Sequence, residues 1–200
     1  MTPDELAALT RRPDPGPHRA TVAIGGLATT TLADLPPTRD GLLFVGLNPS
    51  PVSVDAGHYL QGRLGRRFWQ RLMTVGIIPT GTAVEAADDA LVAAGHGITD
   101  LIKRPSPRDE APEQELREGV GPLWQKIALW RPGAIVFIYK RAAEVAAGRA
   151  LQEPWGHVEG MALAGRPCFL MPGPYATTEQ VDEGLNLLRN LAASLPVDRP

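Results

Sequence analysis

The chain has 200 residues, 44% of them hydrophobic and 21% charged, with a formal net charge of −2. Those values suit one domain with a sizeable core and do not mark a strongly basic nucleic-acid binder. Its single cysteine, Cys168, excludes an internal disulfide and any four-cysteine zinc or iron–sulfur centre.

The first 20 residues are polar and proline-rich, which implies a frayed arm with at most one short helix over residues 4–9. They lack the basic start and apolar centre of a signal peptide. No apolar run approaches the ~20 residues of a membrane span, so a cytoplasmic protein is expected. The β-branched residues Thr21, Val22, Ile24 and Thr29 to Thr31 predict an edge hairpin around Gly25-Gly26. Residues 1–30 are therefore expected to form an arm with this hairpin, and residues 31–200 the main domain.

The apolar run over residues 42–47 suits a strand buried on both faces, and Asn48-Pro49-Ser50-Pro51 stops it. In open α/β sheets ligands bind just beyond the carboxyl ends of strands, which is where Asn48 falls. An irregular segment then runs to Gly65 and holds Asp55, Gly57, His58, Tyr59 and Gln61. Connections that long are often functional.

Residues 66–75 predict a helix, with Phe68 and Leu72, and Trp69 and Met73, as apolar pairs four apart. A second helix is expected over residues 83–94 and a short strand or extended loop over 97–102. The clearest helix covers residues 113–130, where Leu116, Val120, Leu123, Ile127 and Trp130 form one apolar stripe. Gly119 and Gly121-Pro122 should weaken or bend its first half. Buried strands are expected over residues 134–138 and 167–171, with a helix over 139–147 between them. The second of these strands ends in Pro172-Gly173-Pro174. Thr177 or Thr178 should cap a last helix whose buried face is Val181, Leu185, Leu188, Leu191 and Leu195.

Alternating strands and helices imply a three-layer α/β/α sandwich about a mainly parallel, four-stranded sheet. The two proline-rich breaks, at Asn48 and after Met171, should then share one sheet edge. Trp69, Trp124 and Trp130 lie on apolar helix faces and are expected in the core. Cys168, within an apolar run, is expected to be a small buried hydrophobe. The four histidines show no metal-ligand spacing, so no metal and no cofactor is inferred.

Three segments together resemble the uracil-DNA glycosylase superfamily, in particular its mismatch-specific uracil/thymine branch. Gly46-Leu47-Asn48-Pro49-Ser50 is similar to the first motif of that branch. The helix with Arg67-Phe68-Trp69 follows at about the usual distance. Gly97-Ile98-Thr99-Asp100-Leu101-Ile102-Lys103-Arg104-Pro105, the helix at Glu115-Leu116 and the next strand are similar to the middle of the branch. The resemblance covers roughly residues 40 to 195. It departs at the second motif. There the branch has asparagine-proline-serine-glycine and then a wedge residue, where this chain has Met171-Pro172-Gly173-Pro174-Tyr175. An amide has become a thioether, a weak acceptor.

The resemblance implies a DNA glycosylase of base excision repair: a cytoplasmic, nucleoid-associated monomer that hydrolyses the N-glycosidic bond of a damaged or mismatched base. Uracil opposite guanine is the expected substrate, with double-stranded DNA as the partner and single-stranded DNA as the alternative. The alternatives are a glycosylase for another deaminated base such as hypoxanthine, and a non-catalytic binder of damaged or single-stranded DNA.

On this resemblance Asn48 positions the attacking water through its carbonyl. Gly46, Leu47, Pro49, Ser50, Ser53 and Met171 line the base site, and backbone N–H groups near Ser50 and Ser53 receive charge on the base. Tyr59, or Leu60 if the longer loop shifts the alignment, stacks on the base. His58 contacts base or phosphate, or is a plain surface histidine. Asp55 supplies a carboxylate to the site, or is a solvated loop acid. Arg67, Lys103 and Arg104 are candidate phosphate contacts. Pro172, Gly173 and Pro174 face DNA, and Tyr175 is the wedge that fills the gap left by the flipped nucleotide. No lysine is placed to form a Schiff base, so hydrolysis without strand cutting is expected.

Overall fold

A computed structural model describes residues 16–107 and 110–195. The helix expected over residues 4–9 lies outside them. The β-branched runs before residue 33 close a hairpin of β1 (Arg19–Ile24) and β2 (Leu27–Leu32), antiparallel with Ile24 opposite Leu27. Gly25 and Gly26 take φ of 58° and 79°, the pair of left-handed residues that a two-residue I′ turn needs. The hairpin forms a sheet of its own and is not an edge of the central one.

The apolar runs form the central sheet. It comprises β3 (Leu42–Gly46), β4 (Gly97–Asp100), β5 (Ala134–Phe137), β6 (Gly156–Leu163) and β7 (Arg166–Leu170) in the order β4-β3-β5-β7-β6. The first four are parallel and β6 runs antiparallel to β7. The helices are α1 (Pro51–Ala56), α2 (Arg63–Thr74), α3 (Ala87–Ala93), α4 (Glu113–Trp130), α5 (Lys140–Ala147) and α6 (Thr178–Ser194).

Successive strand residues face opposite ways. Phe44, Ile98 and Phe169 therefore pack against Trp69 and Leu72 of α2 and Leu188 of α6. Val45, Ile135 and Leu170 join Leu116, Leu123 and Ile127 of α4 on the other face. Two separate cores confirm the three layers. The exposed side of β4 is covered where Leu35 bridges to Ile98.

Four differences from the sequence expectations have physical causes. The sheet has five strands, not four, because β6 was missed. Its alternation of Val158, Met161 and Leu163 is interrupted by a register shift between His157 and Ala162, which hides the period of two. The segment after Asn48 is not irregular throughout. Ser50 caps α1, Pro51 opens it, and Gly57 ends it with φ of 80°. The helix expected over residues 83–94 is a 3₁₀ turn, Val84–Ala86, followed by α3. Trp124 is 41% exposed and outside the core, whereas Trp69 and Trp130 are buried. Two further expectations hold. Cys168 is buried, and desolvation pushes its thiol up to about 11. Thr177 caps α6 in a full capping box with Gln180. Where the sequence predicts a weakening or bend at Gly119 and Gly121-Pro122, α4 is a single helix that runs through Pro122.

Candidate functional site

The strand order places the exits of β3, β5 and β7 side by side, so both proline-rich breaks fall on the carboxyl edge of the sheet. The exits stay paired beyond the strands: Ile138 N donates to Val45 O at 2.9 Å and Met171 N to Phe137 O at 2.9 Å.

Asn48 is half-buried and held by a neighbour the sequence did not reveal. Its Nδ2 donates to Ser106 O at 3.1 Å, Ser106 Oγ at 2.9 Å and Pro49 O at 3.1 Å. Two of those partners are carbonyls, which can only accept, so the orientation of the amide is fixed. Oδ1 is left on the other side and accepts from none of the described residues. The chain leaving β4 builds this frame. Leu101 N donates to Gly46 O, Ile102 N to Leu47 O and Ser106 N to Pro49 O, at 3.0, 3.1 and 3.2 Å.

Asp100 is a second site residue that the sequence reading did not single out. It ends β4 opposite Gly46, and any side chain at position 46 would run into its carboxylate. Asp100 is buried, and its Oδ2 finds no hydrogen-bond partner among the described residues. Burial pushes its carboxyl up to about 6, against the pull of Lys103 and Lys126. A buried carboxylate with a spare oxygen and such a value is suited to taking a proton near neutral pH.

Ser50 and Ser53 hold α1. Ser50 Oγ lies 2.9 Å from Ser53 Oγ and accepts from Ser53 N at 3.3 Å, while Ser53 Oγ accepts from Gln61 N at 3.1 Å. Ser53 N and Val54 N turn inward to Ser50 O. Pro49 and Pro51 carry no N–H. Outward donors in this stretch are thus confined to Ser50 and Val52.

Tyr59 is 2% exposed, lying under the loop rather than in its mouth. Its hydroxyl donates to Ala33 O at 2.8 Å and accepts from Lys103 Nζ at 3.2 Å. Its carbonyl accepts from Trp69 Nε1 at 3.1 Å and Gln61 Nε2 at 3.0 Å. His58 is likewise inward, with Nδ1 2.9 Å from Asp88 Oδ1, so it is not a surface histidine. Asp55 is exposed, and its backbone carbonyl accepts from Arg19.

The three candidate phosphate contacts separate. Lys103 is ion-paired with the fully buried Asp34, and Lys126 Nζ lies 2.8 Å from the other Asp34 oxygen. Arg104 forms a fork on Glu115, its Nε 3.0 and 2.9 Å and its Nη2 2.6 Å from the carboxylate oxygens. Arg67 is exposed and lines a cleft with Phe68, Arg71, Tyr139, Met171 and Pro174. Arg71, one turn further along α2, donates to Pro172 O at 2.8 Å and Gly173 O at 3.4 Å. Burial and the neighbouring Arg67 charge lower its pKa. Met171 packs into the core beneath this cleft, and Tyr175 stands out from it at 92% exposure. A cavity at the opposite end of β3, lined by Ile78, His96 and Arg189, holds none of these groups.

A mainly parallel sheet with an oriented amide, a buried carboxylate and an outstanding aromatic along one edge defines an α/β protein whose site is built from strand exits. Residues 33–182 match the Uracil DNA glycosylase superfamily, and the chain belongs to that family. Over 98 residues it is also 32% identical to a Schizosaccharomyces pombe protein named G/U mismatch-specific uracil DNA glycosylase. That match covers 48% of this chain and 30% of the fission yeast protein. Among the described residues no helix is long and apolar enough to cross a membrane.

Proposed function

We propose that this chain is a DNA glycosylase that hydrolyses the N-glycosidic bond of a flipped-out deaminated base, with uracil opposite guanine as its substrate. The observation that carries the proposal is the Asn48 amide, whose nitrogen is tied to Ser106 and Pro49 and whose carbonyl is thereby turned away from them. Membership of the superfamily supports the reaction class, and the name of the fission yeast relative supports the base.

The reaction separates a sugar with cationic character from a base that leaves as an anion. A water accepted by Asn48 Oδ1 attacks C1′ as that bond breaks. Asp100, when ionised, takes the proton the water loses. The N–H groups of Ser50 and Val52 stabilise charge on the departing base. Leu47, Pro49, Ser53 and Met171 shape the pocket around it, and Gly46 leaves room for the carboxylate. Arg67 meets the phosphate backbone, and Pro172, Gly173 and Pro174 present Tyr175 to the gap in the duplex. Tyr59 and His58 brace the loop from beneath, and Lys103 and Arg104 act within the protein. Lys103 and Lys126 are committed to Asp34 and so are held away from Schiff-base chemistry. The enzyme acts as a monomer and needs no cofactor for the step.

Single-turnover base release from duplexes carrying uracil, thymine or hypoxanthine opposite guanine tests this. Uracil release is expected to be fastest, and Asn48→Ala should slow it by roughly 10²–10³, the scale of losing one positioned polar group. Duplex binding without release of any base would make the chain a binder. Release undiminished in Asn48→Ala would remove Asn48 from the mechanism.

A further inference from the structure

We propose that His18, His58, Asp88 and Asp89 form a binding site for one zinc ion, which fastens the residues before β1 to the loop after α1 and the start of α3. One potential ligand atom from each of the four lies within 4.8 Å of all the others. His18 stands just before β1, His58 follows α1, and the aspartates open α3. Ligands drawn from three separate elements leave no spacing signature in the sequence.

His18 is the decisive residue. It is 3% exposed, and neither ring nitrogen makes a hydrogen bond among the described residues. Yet its Nε2 lies 2.9 Å from Asp89 Oδ1 and 4.0 Å from Asp88 Oδ1. Close approach without hydrogen-bond direction is the relation between two ligands of one ion, whose lone pairs aim at a shared centre and not at each other. With bonds of ~2.0–2.2 Å, a tetrahedral zinc holds its ligand atoms about 3.3 Å apart, within reach of these side chains by small rotations.

The carboxylates are arranged to suit. The Oδ2 of Asp88 accepts from Tyr59 N at 2.8 Å, and the Oδ2 of Asp89 from Gly16 N at 3.1 Å. Each therefore turns Oδ1 toward the histidines. Such backbone bonds are the supporting contacts that orient metal ligands. Metal ligands bind in their deprotonated forms, and these four then sum to a charge of −2 in a largely dry site, which one divalent cation cancels. The mixed nitrogen and oxygen set suits zinc rather than magnesium or calcium. His58 and Asp88 form a hydrogen bond at 2.9 Å, whereas the 2.9 Å contact of His18 with Asp89 lacks hydrogen-bond direction.

The test uses the full chain, stripped with a chelator and titrated with zinc. Expected are uptake of about one equivalent and a melting temperature raised by several degrees. Cobalt in its place should give the intense visible bands of a four-coordinate site. His18→Ala should weaken uptake by more than the roughly 100-fold that losing a ligand's supporting contact can cost. Asp89→Asn keeps an acceptor for Gly16 and guards against a folding failure, and it should abolish the melting shift. His157→Ala, at an exposed histidine, should change nothing. No uptake by the stripped chain would overturn the proposal, as would uptake that survives both His18→Ala and Asp89→Asn.

Discussion

Folding and the proposed chemistry make opposite demands on Asp100 at the sheet edge, and pH makes the conflict measurable. Its folded-state value of about 6 lies above the ordinary 3.8 because burial disfavours the charge. The folded protein therefore holds this proton more tightly than the unfolded chain. The stability it contributes is full below about 3.8 and is lost as pH rises through 6, a loss of about 3 kcal/mol. The proposed chemistry needs the other form. Base release should rise with pH through about 6. Asp100→Asn should be more stable than the parent at pH 7, show no rising limb and release base far more slowly. Urea unfolding and single-turnover rates at several pH values check both halves. A variant that lost stability at pH 7, or kept the rising limb, would remove Asp100 from the role of proton acceptor.

At the level of elements, much was legible because strands and helices announce themselves by period. The runs at 42–47 and 134–138, and the stripe from Leu116 to Trp130, depend on burial alone and were read correctly. What escaped depends on local chemistry or distant pairing. The signals for α1 were present in Ser50, Pro51 and Gly57, but six residues are too few to show a helical period. The partner that orients Asn48 is Ser106, 58 residues away, and no pattern along the chain announces it. Arg71 is a similar case, a residue of α2 that reaches the segment after β7. Its two bonds to Pro172 and Gly173 are what α2 contributes to the second break. Arg71→Ala leaves two carbonyls without their charged donor and loosens the segment that presents Tyr175. Binding of mismatched duplex should fall about tenfold, the scale of one charge-assisted bond. Binding of single strands should change little, because they offer no gap to fill. Tyr175→Ala should show the same asymmetry, and equal losses on both substrates would rule out the wedge.

Across the whole molecule, the hairpin, the sheet and α4 meet at Asp34. It follows β2, pairs with Lys103 beyond β4 and with Lys126 of α4, and accepts from Thr99 Oγ1 at 2.5 Å. Burial alone would raise the pKa of Asp34, but the two lysines outweigh it and hold it below the ordinary value. The stability it contributes is therefore present above about 3.8 and lost as pH falls through its folded value, the reverse of Asp100. Removing the charge strands the buried Lys126 and the half-buried Lys103, so Asp34→Asn should cost about 3–5 kcal/mol in urea unfolding at pH 7. Burial already lowers Lys126, and without Asp34 its proton should leave more easily still. A lysine bound less tightly to its proton when folded gains stability as pH rises. Asp34→Asn should thus recover part of its loss between pH 7 and 10, gaining more over that range than the parent does. A loss under about 1 kcal/mol, the scale of an exposed ion pair, would show that Asp34 does not bind the three elements together.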